Sequence, residues 1–240
     1  MLEHTFCMAP GVGVKTEQGL WDQGALGWDE ALKAGEDLPL SPAKKRAVLQ
    51  TVNLARQKLA EDDLKWFAGR LGSRESWRLF DAFRERTAYL DIETTGLGAP
   101  HDHITTIVVW DGRDVRKYIW GRNMDDFEVD IEDYSLLVTF NGSQFDIPFI
   151  ERQFGVKLDH AQIDLRFLLA SLGYKGGLKR CEKTLGLSRD GLDGVDGFMA
   201  VKLWRSFERT GDERFLDTLL AYNACDSVNL ETLAVKAYNM

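Results

Sequence analysis

The chain has 240 residues, 44% of them hydrophobic and 28% charged, so it can bury a sizeable core without a disulfide or zinc staple. Against 38 acidic residues stand 30 basic ones, a formal charge of −8, which excludes a polybasic protein that binds nucleic acid through a broad positive surface. It does not exclude a protein that carries its positive charge as bound metal ions.

Residues 1–86 read as helices joined by short loops. They hold 13 basic and 13 acidic residues, so all of the net charge lies in 87–240. Ser41-Pro42 supplies a capping hydroxyl and then proline at the first helical position. Val48, Val52, Ala55 and Leu59 follow on one helical face. A second helix is expected over about 62–71, stopping at Gly72, and a third from Ser73, carrying Trp77, Phe80 and Phe83. From Thr87 the pattern changes to strands, at 87–94, 104–111 and 115–121, with Asp111-Gly112 as the hairpin turn between the last two. The acidic stretch 124–134 suits a helix, and 135–140 is a strand ended by Asn141-Gly142. Helices at roughly 146–154, 177–185, 198–209 and 213–237 follow, with a brief strand at 162–166. A three-strand meander followed by alternating helices and strands predicts a mixed α/β sheet. The expected domains are 1–86, an α-helical extension, and 87–240, a five-stranded sheet flanked by helices.

Acidic residues stand where apolar ones are expected. On the strand 87–94, Tyr89, Asp91 and Glu93 share one face and Ala88, Leu90 and Ile92 the other. Two carboxylates therefore converge, and they repel unless a proton or a cation neutralises them. Oxygen-rich clusters of this type suit magnesium or manganese; two solvated acids at a strand end are the plain alternative. Asp146 falls at a helix start after Phe140-Asn141-Gly142-Ser143-Gln144-Phe145, where a carboxylate can simply cap free N–H groups. On the last helix Phe215, Leu219, Tyr222, Asp226 and Leu233 form one stripe. A carboxylate buried in it must bind a cation or be satisfied by a buried tyrosine or arginine, and Tyr222 lies one turn away on the same face. Jointly, four carboxylates from a strand end, a helix start and a helix face can hold two divalent ions that clamp the attacking and leaving oxygens of a phosphodiester.

Three segments carry a family resemblance. Leu90-Asp91-Ile92-Glu93-Thr94-Thr95-Gly96-Leu97, the run from Phe140 to Asp146, and Tyr222-Asn223 with Asp226 resemble, in order, the three motifs of the DEDD, or DnaQ-like, 3′→5′ exonuclease superfamily, whose fold is ribonuclease-H-like. Tyr222, four residues before the last acid, matches the tyrosine subtype; the histidine subtype has a histidine where Ala221 stands. The stretch from Gly176 to Gly186, Ile163-Asp164-Leu165-Arg166, Trp204-Arg205 with Phe207, Pro10-Gly11-Val12-Gly13 and Ser76-Trp77-Arg78-Leu79-Phe80 resemble the YprB-type ribonuclease-H-like family, over most of the chain. The resemblance implies roles. By that resemblance Asp91 would bridge two ions, Mg2+ or Mn2+; Glu93 and Asp226 would complete the site of the ion that holds the attacking water; Asp146 would help hold the second; Tyr222 would orient or help deprotonate the water. Thr94, Leu97, Asn141 and Phe145 become candidate nucleic-acid contacts, Leu97 and Phe145 by packing on the terminal nucleotide, while Asn141 equally serves its turn. The implied protein is a divalent-metal-dependent 3′→5′ exonuclease on single-stranded DNA or RNA ends. A ribonuclease-H-type or structure-specific endonuclease, and a weakly active or inactive nucleic-acid-binding module, are the alternatives.

Other signals are weaker. Lys175, Lys179, Arg180, Lys183 and Arg189 stand against one acid, Glu182, in the most basic stretch of 87–240. Lys179 and Arg180 are the candidate backbone contacts there, unless the stretch is a solvated helix face. Pro10-Gly11-Val12-Gly13, before a helix with Thr16, Glu17, Leu20 and Trp21, resembles half of a helix-hairpin-helix, or is an ordinary loop. Cys7, Cys181 and Cys225 show no metal spacing and fit free thiols in a reducing compartment. No run reaches the ~18 apolar residues of a membrane span, and the opening residues lack a signal-peptide core. The expectation is a cytoplasmic monomer with no membrane partner.

Overall fold

Residues 1–189 and 196–240 are described by the structure, a computed structural model whose chain divides into two units, Met1–Arg84 and Glu85–Met240. In the first unit the helices are α1 (Val14–Trp21), α2 (Trp28–Ala34), α3 (Pro42–Ala60) and α4 (Leu64–Ala68). Pro42 opens α3, where its missing N–H costs no intrahelical bond, but the Ser41 hydroxyl makes no capping bond, contrary to expectation. Val48, Val52 and Ala55 are the buried face of α3. The helix expected from Ser73 does not form; Ser76–Leu79 and Arg84–Arg86 are 3-10 turns. Arg78, Leu79 and Phe80 are all buried, and three consecutive buried residues do not share one α-helical face.

The second unit is a sheet with helices on both faces. Its strands are β1 (Thr87–Thr94), β2 (Ile104–Trp110), β3 (Val115–Ile119), β4 (Leu136–Thr139) and β5 (Ala161–Asp164). They lie in the order β3-β2-β1-β4-β5. The pairs β1/β2 and β2/β3 are antiparallel, and β1/β4 and β4/β5 parallel. The helices are α5 (Asp126–Asp130), α6 (Asp146–Phe154), α7 (Leu165–Ser171), α8 (Leu178–Thr184), α9 (Gly197–Thr210) and α10 (Glu213–Tyr238). Sequence reading missed α7. It follows β5 without a loop, because Asp164 ends the strand and its carboxylate accepts from the Arg166 N–H at 3.1 Å as the helix cap.

The alternation along β1 divides the unit. Ala88, Leu90 and Ile92 join Ile107, Val109, Phe127, Phe149 and Ile150 in one apolar core. On the other face α10 packs across β1, β2 and β4, with Leu219, Leu230 and Leu233 fully buried. The odd positions of β1 therefore meet α10. Ser227 of α10 donates to the Val108 carbonyl of β2 at 3.1 Å, which fixes the helix along the sheet.

Candidate metal and nucleic-acid site

Where β1 meets α10, Asp91, Glu93 and Asp226 each offer a carboxylate oxygen, all within 4.8 Å of one another. Asp226 is buried and the other two half-buried. Asp91 is oriented by a chain of hydrogen bonds: Thr106 Oγ1 donates to Asn223 Oδ1 at 2.9 Å, and Asn223 Nδ2 to Asp91 Oδ2 at 2.6 Å. Asn223 is itself fully buried. The Asp146 carboxylate stands beside the trio rather than inside that distance; it is buried and accepts from the Ile92 N–H of β1 at 3.2 Å. It therefore ties α6 to β1 in addition to opening α6.

The turn that delivers Asp146 is built by its own sequence. Asn141 has φ of +68°, a left-handed conformation that asparagine tolerates better than most residues. At Gly142 a Cβ would collide with the Thr139 side chain, so only glycine fits. Asp164 then holds the turn, accepting from the Asn141 N–H at 2.8 Å and the Ser143 Oγ at 2.6 Å. The Asn141 Oδ1 accepts from Arg166 at 2.5 Å.

Electrostatics explain what the trio lacks. Burial, reinforced by Asp226, Asp146 and, for Asp91, Glu93, raises Asp91 and Glu93 well above the usual carboxylate range. Burial also pushes Asp146 up to about 7, and Asp226 to about 6 against the opposing pull of Arg189. Among the described residues no side-chain or backbone donor reaches the Glu93 carboxylate; only the charge of Lys179 favours its ionised form. Asp226 Oδ1 pairs with Arg189 Nη2 at 2.6 Å, and the Tyr222 hydroxyl also favours the ionised Asp226 carboxylate. Half-buried and buried carboxylates, gathered and short of donors, form an oxygen-only set of the kind hard divalent cations take.

The other sequence candidates are distributed around this set. Tyr222 is buried one turn before Asp226, and burial and the carboxylates Asp226, Glu93 and Asp91 raise its hydroxyl pKa. Lys179 Nζ lies 4.8 Å from the Tyr222 ring centroid. Leu97 is 93% exposed in the turn after β1, and Phe145 is half-buried with its ring 5.6 Å from Phe149. The Thr94 hydroxyl is engaged by the Gly96 carbonyl at 2.5 Å. Arg180 is exposed. The basic stretch is not simply a solvated face: Arg189 is 5% and Glu182 1% exposed, paired at 2.6 Å. Their burial had no signal in the sequence, because both look like ordinary surface charges near a helix end. Asn223 and Asp164 were equally unmarked, although both lie inside quoted motifs.

A family model of the RNase_H superfamily matches residues 88–238. The chain belongs to that superfamily. Membership supports a nuclease, a hydrolase that acts on nucleic acid; nucleases of this superfamily generally use divalent metals, and the acidic trio lies within the matched residues. Among solved structures the chain is similar to the family B DNA polymerase from the hyperthermophilic archaeon Pyrobaculum calidifontis, with 20% identity and a TM-score of 0.48. That similarity covers 62% of this chain and 24% of the polymerase. Among curated proteins nothing matches. No helix among the described residues is long and apolar enough to cross a membrane.

Proposed function

We propose that the chain is a 3′→5′ exonuclease of the DEDD type, tyrosine subtype, acting on single-stranded ends of DNA or RNA. The carrying observation is the convergence of Asp91, Glu93 and Asp226 within 4.8 Å, short of donors and with Asp146 alongside. These four acids would hold two divalent ions, Mg2+ or Mn2+, which would supply the positive charge for activating a water and stabilising the displaced oxygen. Every other part falls to the chain. Tyr222, its pKa raised by burial and by acidic neighbours, stays protonated and donates a hydrogen bond, so it orients the attacking oxygen rather than deprotonating it. Lys179, half-buried at the rim, draws the phosphate towards the acids. Leu97, projecting into solvent, and Phe145 flank the terminal nucleotide. Tyr222 and the order of the three motifs favour an exonuclease over an endonuclease.

The test uses one oligonucleotide labelled at either end, with Mn2+, beside a circular single strand. The expected products are a mononucleotide from the 3′ label and a shortening ladder from the 5′ label. The circle stays intact, and Asp91→Ala and Asp146→Ala are inactive. A cut circle would establish an endonuclease. No cleavage with any divalent ion, with Asp146→Ala binding nucleic acid as the parent does, would establish a binding module.

A further inference from the structure

Behind Asp226 stands a second charged group that the proposed reaction does not use. Arg189 Nε donates to Glu182 Oε2 at 2.6 Å, and Asn229 Nδ2 donates to Glu182 Oε1 at 2.9 Å. Both oxygens of Glu182 are thus engaged. Arg189 Nη2 reaches Asp226 Oδ1 at 2.6 Å, and the guanidinium lies 5.7 Å from the Tyr222 ring centroid. Asn229, Asp226 and Tyr222 all belong to α10, and Glu182 to α8. An arginine this buried does not reach a nucleic-acid backbone. A lone guanidinium on Asp226 would act as a built-in competitor for a metal ion. Paired with Glu182 it is close to neutral, so Asp226 keeps its charge while one of its oxygens is held.

We propose that Arg189, braced by Glu182 and Asn229, is a positioning residue that holds the Asp226 carboxylate for a divalent ion, with Glu182 offsetting the arginine's charge. The inference rests on the metal-nuclease reading above. It differs from a net-charge effect in one respect: removing both groups together leaves the net charge of the cluster unchanged and removes the contact that orients Asp226. Outer-shell partners of metal ligands typically contribute about 10- to 100-fold in metal affinity.

The experiment is a Mn2+ titration of the full chain followed by electron paramagnetic resonance of the free ion, with Asp91→Ala as control. The double variant Arg189→Met/Glu182→Gln is expected to bind Mn2+ about 10- to 100-fold more weakly. Glu182→Gln alone, which leaves the guanidinium uncompensated on Asp226, is expected to lose as much. Arg189→Lys keeps part of the affinity. A merely structural role would lower the melting temperature and leave the Mn2+ affinity of the folded protein unchanged. If the wild type binds Mn2+ and the folded double variant binds it equally well, the inference falls and the metal reading stands. If the wild type binds no more Mn2+ than Asp91→Ala, both fall together.

Discussion

Glu17 of the first unit and the acidic trio of the second are treated in opposite ways, and Glu182 of the second unit, both its oxygens engaged, sides with Glu17. In Met1–Arg84, Glu17 is fully buried and fully supplied. It accepts from the Thr5 hydroxyl and the Phe6 N–H at 2.6 Å each, and from Arg78 at 2.7 Å. Arg78 is held in turn by Glu75 at 2.7 Å. In Glu85–Met240, Asp91 receives one donor from Asn223, Asp226 is met by Arg189 and by the Tyr222 hydroxyl, and Glu93 has no donor among the described residues. A structural acid comes with its donors, because an unpaired buried charge costs several kcal/mol. An acid gathered with other acids and left short of donors is stable only with protons or with cations from outside. The difference in supply, rather than burial, separates a structural acid from a candidate ligand.

The largest expected effects come from neutralising one acid of each kind. Asp91→Asn is expected to reduce cleavage on the order of 10³-fold and to raise the melting temperature of the chelated protein, since it removes a like charge from the trio. Glu17→Gln is expected to cost up to about 3–5 kcal/mol in the amino-terminal unit, because Arg78 keeps its charge and loses the buried one of its two counter-ions, Glu75 remaining. Thermal denaturation in a chelator reads both. Equal destabilisation by the two variants would break the comparison.

Metal addition sharpens it. Mn2+ at about 100 times its Kd is expected to add about 2.7 kcal/mol to the unit that holds the trio, by mass action, and nothing to the unit that holds Glu17. Calorimetry with and without chelator measures it; a shift that survives Asp91→Ala would assign the ion elsewhere.

The pH dependence follows with its sign fixed by the raised values. In the chelated protein Asp146 stands near about 7 and Asp226 near about 6, while Asp91 and Glu93 are held well above the usual range. The native state therefore keeps protons that the unfolded chain has released, so stability falls as pH rises from ~4, the ordinary carboxylate value, through the raised values of these acids. The melting temperature is expected to drop between pH ~5 and ~8, by about 2–4 °C for each kcal/mol lost. Saturating Mn2+ should reverse the trend, since it binds the deprotonated acids. A chelated protein that gains stability over that window would show that the acids are supplied after all.

Local pattern made much of this readable. The strand expected over 87–94 is Thr87–Thr94, and period-two alternation alone put Asp91 and Glu93 on the face away from Leu90 and Ile92. The long helix and its stripe were equally periodic, and the fold class followed from strands in meander and then in alternation. What was not readable depended on pairing across the chain. Asp226 was open to a cation or to a buried tyrosine or arginine; the structure gives it Tyr222, one turn away, and an arginine 37 positions earlier, in a segment that reads as surface charge. The 3-10 turns near Trp77 and the missed α7 have the same origin, a tertiary partner or a cap overriding local preference.

The smallest effect concerns Lys179, the one basic candidate with a foot in both roles. Its charge stabilises ionised Glu93, and its ammonium lies 4.8 Å from the Tyr222 ring centroid while part of the side chain stays exposed. Metal ions in the trio would repel the ammonium from the acids and turn it towards a phosphate. Lys179→Ala is therefore expected to weaken binding to a single strand and to reduce the slope of log affinity against log salt by about 0.7, one phosphate contact. The same change is expected to tighten Mn2+ binding a few-fold, because a like charge leaves the site. Salt titrations of fluorescence anisotropy on a catalytically silent Asp91→Ala background measure the first effect, and Mn2+ titration of the single variant the second. An unchanged slope with tighter Mn2+ would make Lys179 a counter-charge for Glu93 alone, placing it with Arg78 among the residues that supply buried acids rather than those that meet substrate.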